Sequence, residues 1–199
     1  LCHTLCDNGS ITDLNLSRNE IGIKGGIALG EMLQQNDTIK MLDLSWNCIR
    51  DTGAIDVGVA VGTNTGLKWL NLGYNGFANK ATVHLADSLE RNKTLEYLDL
   101  TQNKISSKAT LVLANALEDN EQLLHLVLDE NPMGEKGTRA MLRLYGNGEE
   151  DTQLSMKNVN MEIEKNEMES SLIKTHVLEK LRSNQQKMPK CVMRCCEKT

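Results

Sequence analysis

The chain has 199 residues, a net charge of −5, 25% charged and 40% hydrophobic residues, and aromatic residues at only 3%. That balance argues against nucleic acid or an anionic membrane surface as a main partner, since both select for basic patches, and all of the excess acid falls in residues 1 to 148. No apolar run approaches the ~18 residues of a membrane-spanning helix, and no secretory signal pattern opens the chain.

The first ten residues read as the tail of a unit whose head is missing. Leu1, Leu5 and Asn8 occupy the places that Leu29, Leu33 and Asn36 hold one period later, so residues 1–10 are expected to be the remnant of a truncated preceding repeat. From residue 11 onward, five units follow at an unbroken spacing of 28 residues. Leucine stands at Leu14, Leu42, Leu70, Leu98 and Leu126, and again two places later at Leu16, Leu44, Leu72, Leu100 and Leu128. Asparagine closes the phrase at Asn19, Asn47, Asn75, Asn103 and Asn131. The alternation predicts a strand of about five residues, and the same strand in the next unit must pair with it in parallel, because a helix separates the two.

The second half of each unit spells that helix. Leu29, Met32 and Leu33 recur as Leu85, Ser88 and Leu89 and as Leu113, Ala116 and Leu117, the spacing of one apolar face. Small residues at Gly25, Gly53, Ala81, Ala109 and Gly137 mark a column where a neighbouring turn leaves little room. Asn36, Asn64, Asn92 and Asn120 follow the helices, where a left-handed residue is expected to satisfy the last carbonyls. The asparagines after the strand have a structural reading: a buried turn needs a side chain that both donates and accepts. The sequons at Asn8, Asn15, Asn36 and Asn92 are by-products of the frame.

After the five units (11–150), Leu154 and Met156 take the two leucine places while Val159 replaces Asn, so residues 151–160 are expected to form a degenerate capping strand. Met161, Met168, Leu172, Leu178 and Leu181 predict an amphipathic helix over 161–184, and residues 185–199 a flexible tail with Cys191, Cys195 and Cys196. The cysteines form no framework of spaced pairs, which favours a reducing, cytoplasmic setting. Cys195 and Cys196 lack the nearby histidine of a zinc site, so no metal is expected.

The unit L-x-x-L-x-L-x-x-N-x-I-x-x-x-G followed by an amphipathic helix resembles the ribonuclease-inhibitor type of leucine-rich repeat. Phrases such as Asp43-Leu44-Ser45-Trp46-Asn47-Cys48-Ile49 and Asn131-Pro132-Met133 are also similar to a group of intracellular leucine-rich repeat-containing proteins, number seventy-four among them. The resemblance implies an α/β solenoid, a horseshoe with a parallel sheet on its concave face and helices on its convex face. Ribonuclease inhibition is not expected, because this array is strictly periodic and holds one cysteine, Cys48.

Catalysis is not expected either. His3, His84, His125 and His176 stand far apart in the frame, there is no Gly-rich phosphate loop, and no cofactor or small-molecule substrate is called for. Variation is concentrated instead in three outward columns of the strand: Asp13, Met41, Trp69, Tyr97, His125; then Asn15, Asp43, Asn71, Asp99, Val127; then Arg18, Trp46, Tyr74, Gln102, Glu130. Met41, Asp43, Trp46, Trp69, Asn71, Tyr74, Tyr97, Asp99 and His125 are therefore the candidate partner-binding residues, with the four aromatic rings as one contiguous patch. Its acidic border suits a protein partner with a Lys- or Arg-bearing segment. The competing reading is that the rings only stack on one another along the sheet. The leading function is a protein-interaction scaffold; the alternatives are a structural subunit of a ciliary or cytoskeletal assembly, and a fragment of a leucine-rich sensor or regulatory protein.

Overall fold

Each 28-residue unit becomes one short strand and one helix, and the register of the sheet equals the period of the sequence. The computed structural model describes residues 1–146 and 153–155; the proposed 161–184 helix and the 185–199 tail lie outside them. A short helix α1 (Cys2–Cys6) is followed by β1 (Asp13–Asn15), α2 (Ile23–Gln35), β2 (Met41–Asp43), α3 (Asp51–Val61), β3 (Trp69–Asn71) and α4 (Asn79–Arg91). Then come β4 (Tyr97–Asp99), α5 (Ser107–Leu117), β5 (His125–Val127), α6 (Gly134–Gly146) and β6 (Gln153–Ser155). The strands form one parallel sheet in chain order, with Asp13 opposite Met41, Met41 opposite Trp69, Trp69 opposite Tyr97 and Tyr97 opposite His125.

The leucine columns fill the space between sheet and helices. Leu42, Leu70 and Leu98 are fully buried, as are Leu44, Leu72 and Leu100 two places on and Ile49, Phe77 and Ile105 beyond the turn. From the other side Leu29, Met32, Leu33, Leu85, Leu89 and Leu113 close the core. The helices α2 to α5 have no side-chain cap at their N-termini. Burial of one face, rather than end chemistry, therefore accounts for their stability. Close approach between neighbouring units is sharpest at Gly53, where a Cβ would stand 2.5 Å from the carbonyl oxygen of Ile23, and at Gly66, where it would run into the backbone of Asp37. In the column of Gly53 an alanine fits at Ala81 and Ala109, both buried, so the squeeze is local and not a property of every unit.

Two asparagine ladders tie unit to unit. In the first, the amide of Asn75 donates to the carbonyls of Leu44, Leu72 and Gly73 (2.9, 3.2 and 3.2 Å), and its oxygen accepts the N–H of Ile49 at 3.1 Å. Asn47, Asn103 and Asn131 repeat the pattern. The second ladder corrects an expectation. Asn36 and Asn92 are not left-handed but extended, with φ of −104° and −72°. What this column does is bridge: Asn64 donates to Leu33 O and Asn36 O of the preceding unit (2.7 and 2.8 Å) and accepts the N–H groups of Gly66 and Leu67 of its own.

The strands are also shorter than expected, three residues instead of about five. Ladder bonds nevertheless continue beyond them: Leu44 N donates to Asn71 O and Trp46 N to Gly73 O, both at 2.9 Å. The strand stops early because the chain turns, and in the first four units an outward side chain takes part in that turn.

Candidate functional face

The second outward column makes the turn. In each of the first four units its side-chain oxygen accepts the backbone N–H two residues on: Asn15 from Ser17, Asp43 from Ser45, Asn71 from Gly73 and Asp99 from Thr101, at 2.8 to 2.9 Å. These are Asx turns, in which a side chain stands in for a backbone acceptor. One residue further the chain is left-handed: φ is 57° at Arg18, Trp46 and Tyr74, 53° at Gln102 and 59° at Glu130. For residues with a Cβ this conformation costs on the order of 1–2 kcal/mol. The asparagine after it, which bonds back to the carbonyls before the turn in all five units, holds it in place, and the Asx turn adds to this in the first four.

That geometry organises the aromatic rings. Trp46 stacks on Tyr74 with ring centroids 3.9 Å apart and planes 8° from parallel, and the guanidinium of Arg18 lies over the Trp46 ring at 5.1 Å from its centroid. In the first column Trp69 stacks on Tyr97 at 5.2 Å and 13°, and Tyr97 meets His125 at 6.0 Å with a 42° tilt. The rings expected to form one patch are thus drawn up in two files along the solenoid, one per column. Asp43, Asn71 and Asp99 separate the files along each strand. Stacking along the sheet, the competing reading, is realised within each file. Even so, Met41 and Trp46 remain exposed at 44% and 47%, while Trp69, Tyr74, Tyr97 and His125 are half-buried.

The acidic groups sit close enough to feel one another. Burial pushes the Asp99 carboxyl above its ordinary value; hydrogen bonds from Thr101 oppose this, and the charges of Asp129 and Asp43 add to it. Burial likewise pushes the Tyr97 phenol up, with Asp99, Asp129 and Asp43 all acting in the same direction. Asp129 is a member of this group that the sequence reading passed over. Its signal was present: it stands in a column otherwise held by Ser17, Ser45, Gly73 and Thr101, in the one unit where Val127 replaces the turn-making Asn or Asp.

Among the described residues no group of three or more His, Cys, Asp or Glu is placed to hold a metal ion, and no helix is long and apolar enough to cross a membrane. Cys2, Cys6 and Cys48 are free thiols.

A model of the leucine-rich repeat matches residues 7–30, 35–58 and 91–113. The units are leucine-rich repeats. Among solved structures, actin-binding site 2 of leiomodin-1 is similar, with 21% identity, a TM-score of 0.61 and 73% of this chain covered against 87% of that one. The tropomodulin C-terminal domain of Caenorhabditis elegans is similar at 15% identity and a TM-score of 0.57, covering 73% of this chain and 93% of the other. At these identities the likeness is one of fold: an α/β leucine-rich repeat solenoid with its sheet on one face and its helices on the other. No curated protein matches the sequence.

Proposed function

We propose that this leucine-rich repeat solenoid is a non-enzymatic protein-interaction scaffold that takes a partner on its strand face, between and over the two aromatic files. The observation that carries the reading is the arrangement of Trp46 over Tyr74 and Trp69 over Tyr97 on either side of a column holding Asp43 and Asp99. Rigid, partly exposed aromatic rings supply contact area at little entropic cost, and they are enriched among residues that dominate binding. The charges of Asp129 and Asp43 add to the raised proton affinity of the Asp99 carboxyl beside them. A partner segment bearing Lys or Arg relieves that repulsion, so the partner is a protein with a basic segment rather than a nucleic acid, a membrane or a small molecule. The free thiols of Cys2, Cys6 and Cys48 support a reducing, cytoplasmic setting.

Affinity capture with the full chain and with Trp69→Ala tests this. Loss of the captured protein with Trp69→Ala, at an unchanged melting temperature, is expected; retention of the partner at equal affinity sinks the strand face as the site. A second reading, a structural subunit of a cytoskeletal assembly, draws on the fold likeness to a structure titled as an actin-binding site of leiomodin-1. Co-sedimentation with actin filaments discriminates. Binding that survives Trp69→Ala favours the structural role, and no sedimentation leaves the scaffold reading in place.

A further inference from the structure

The helix face carries a second feature that the repeat frame does not require. Ile27, Ile55, Val83 and Leu111 share one column across α2 to α5, and while Ile27 and Ile55 are half-buried, Ile55 against the core, Val83 is 39% and Leu111 43% exposed, with Val112 beside Leu111 at 42%. In the next helix the same place is taken by Arg139, which is exposed, so packing does not demand an apolar residue there. Valine is also a poor choice for an exposed helix position on propensity alone. Three residues earlier in the frame stand Lys80, Lys108 and Lys136, all exposed. Lysine and apolar residue are therefore i, i+3 neighbours on one helix surface. Nearby acids are already engaged, Asp87 with Arg91 at 3.0 Å and Glu135 with Arg139, whereas none of the three lysines forms an ion pair among the described residues.

We propose that α4, α5 and α6 present a docking surface for an amphipathic helix of a protein partner, laid across them with its apolar stripe on Val83, Leu111 and Val112 and an acidic edge on Lys80, Lys108 and Lys136. The spacing fits. Packed neighbouring helices lie ~8–10 Å apart, and a helix advances ~10.5 Å over seven residues, so carboxylates one heptad apart meet successive lysines. A lipid surface fits less well, because it would also meet the exposed Asp87 and Glu90 of α4. A helix can set its acidic edge on the lysines, with Asp87 already engaged by Arg91. This surface lies on the opposite side of the solenoid from the aromatic files and stands or falls independently of them.

The test uses the full chain and a synthetic three-heptad amphipathic helix with a leucine stripe and one Glu per heptad beside it, against a twin with Lys in place of each Glu. Anisotropy of the labelled peptides is expected to show the Glu form binding about tenfold tighter, the combined effect of three surface ion pairs. The double variant Lys80→Glu/Lys108→Glu is expected to reverse that preference, and Val83→Ser/Leu111→Ser to weaken both peptides with the thermal midpoint held. Equal binding of the twins, or a preference that the charge swap leaves unreversed, overturns the proposal. So does lysine-dependent sedimentation with phosphatidylserine-containing vesicles in the absence of peptide binding, which assigns the surface to lipid.

Discussion

Replacing Asn75 with alanine removes one rung of the first asparagine ladder without touching the leucine core, and its cost follows from the bonds it breaks. The N–H of Ile49, a fully buried residue, loses its acceptor at 3.1 Å, and the carbonyls of Leu44, Leu72 and Gly73 lose a shared donor. An orphaned buried polar group costs about 1–3 kcal/mol. Each of those carbonyls keeps another donor, Leu44 from Asn47, Leu72 from Asn103 and Gly73 from the Trp46 N–H, so the Ile49 N–H is the group left in that state and the expected destabilisation is roughly 1–3 kcal/mol. Asn19 is the internal control. It occupies the same column but is exposed, and it bonds only to the carbonyls of Leu16 and Ser17 in its own unit. Asn19→Ala is expected to cost less than about 1 kcal/mol, since water reaches the groups it leaves. Urea denaturation followed by circular dichroism, with the slope checked against wild type, reads both values. Equal costs for the two variants, or an Asn75→Ala within about 0.5 kcal/mol of wild type, refute the view that these asparagines act by bridging units.

Asp99→Asn is expected to keep its turn, since Asn71 makes the same bond to Gly73 in the neighbouring unit. It also removes a carboxylate whose proton affinity is raised by burial and by Asp129 and Asp43. A carboxyl raised on folding is most favourable below its unfolded value of about 3.9 and loses that contribution as pH rises through its folded value. The variant should therefore melt above wild type at neutral pH, with the gap closing toward pH ~4; a gap independent of pH counts against the assignment. Gly53→Ala is expected to destabilise by about 1–3 kcal/mol, because the added Cβ meets the Ile23 carbonyl oxygen at 2.5 Å. A neutral result in the same urea assay would show that α2 and α3 move apart more easily than the packing implies.

The frame was legible because a solenoid converts sequence period directly into sheet register: Leu14, Leu42, Leu70 and Leu98 are neighbours in space for the same reason that they are 28 apart in the chain. Which columns face outward followed from alternation. What escaped the reading was backbone conformation at residues that do not advertise it. Arg18, Trp46, Tyr74, Gln102 and Glu130 are left-handed with no glycine to signal it, and in four of these five units the preceding Asn or Asp, Asp43 and Asp99 among them, makes an Asx turn that residue type alone does not announce. The Asn36 column was assigned to helix ends on local grounds, whereas its partners lie one unit back. Ring pairing into two files depends on side-chain rotamers, which periodicity does not encode.

The left-handed column changes what substitution means on this face. At Trp46 or Tyr74 the side chain does not choose its backbone; the Asx turn on one side and the bridging asparagine on the other hold it, and Arg, Trp, Tyr and Gln have all been accepted beside such a turn. Each unit therefore works as a socket of fixed shape with an exchangeable plug. A new binding specificity could be written into this column one unit at a time, with each exchange leaving the register, the ladders and the neighbouring sockets as they were.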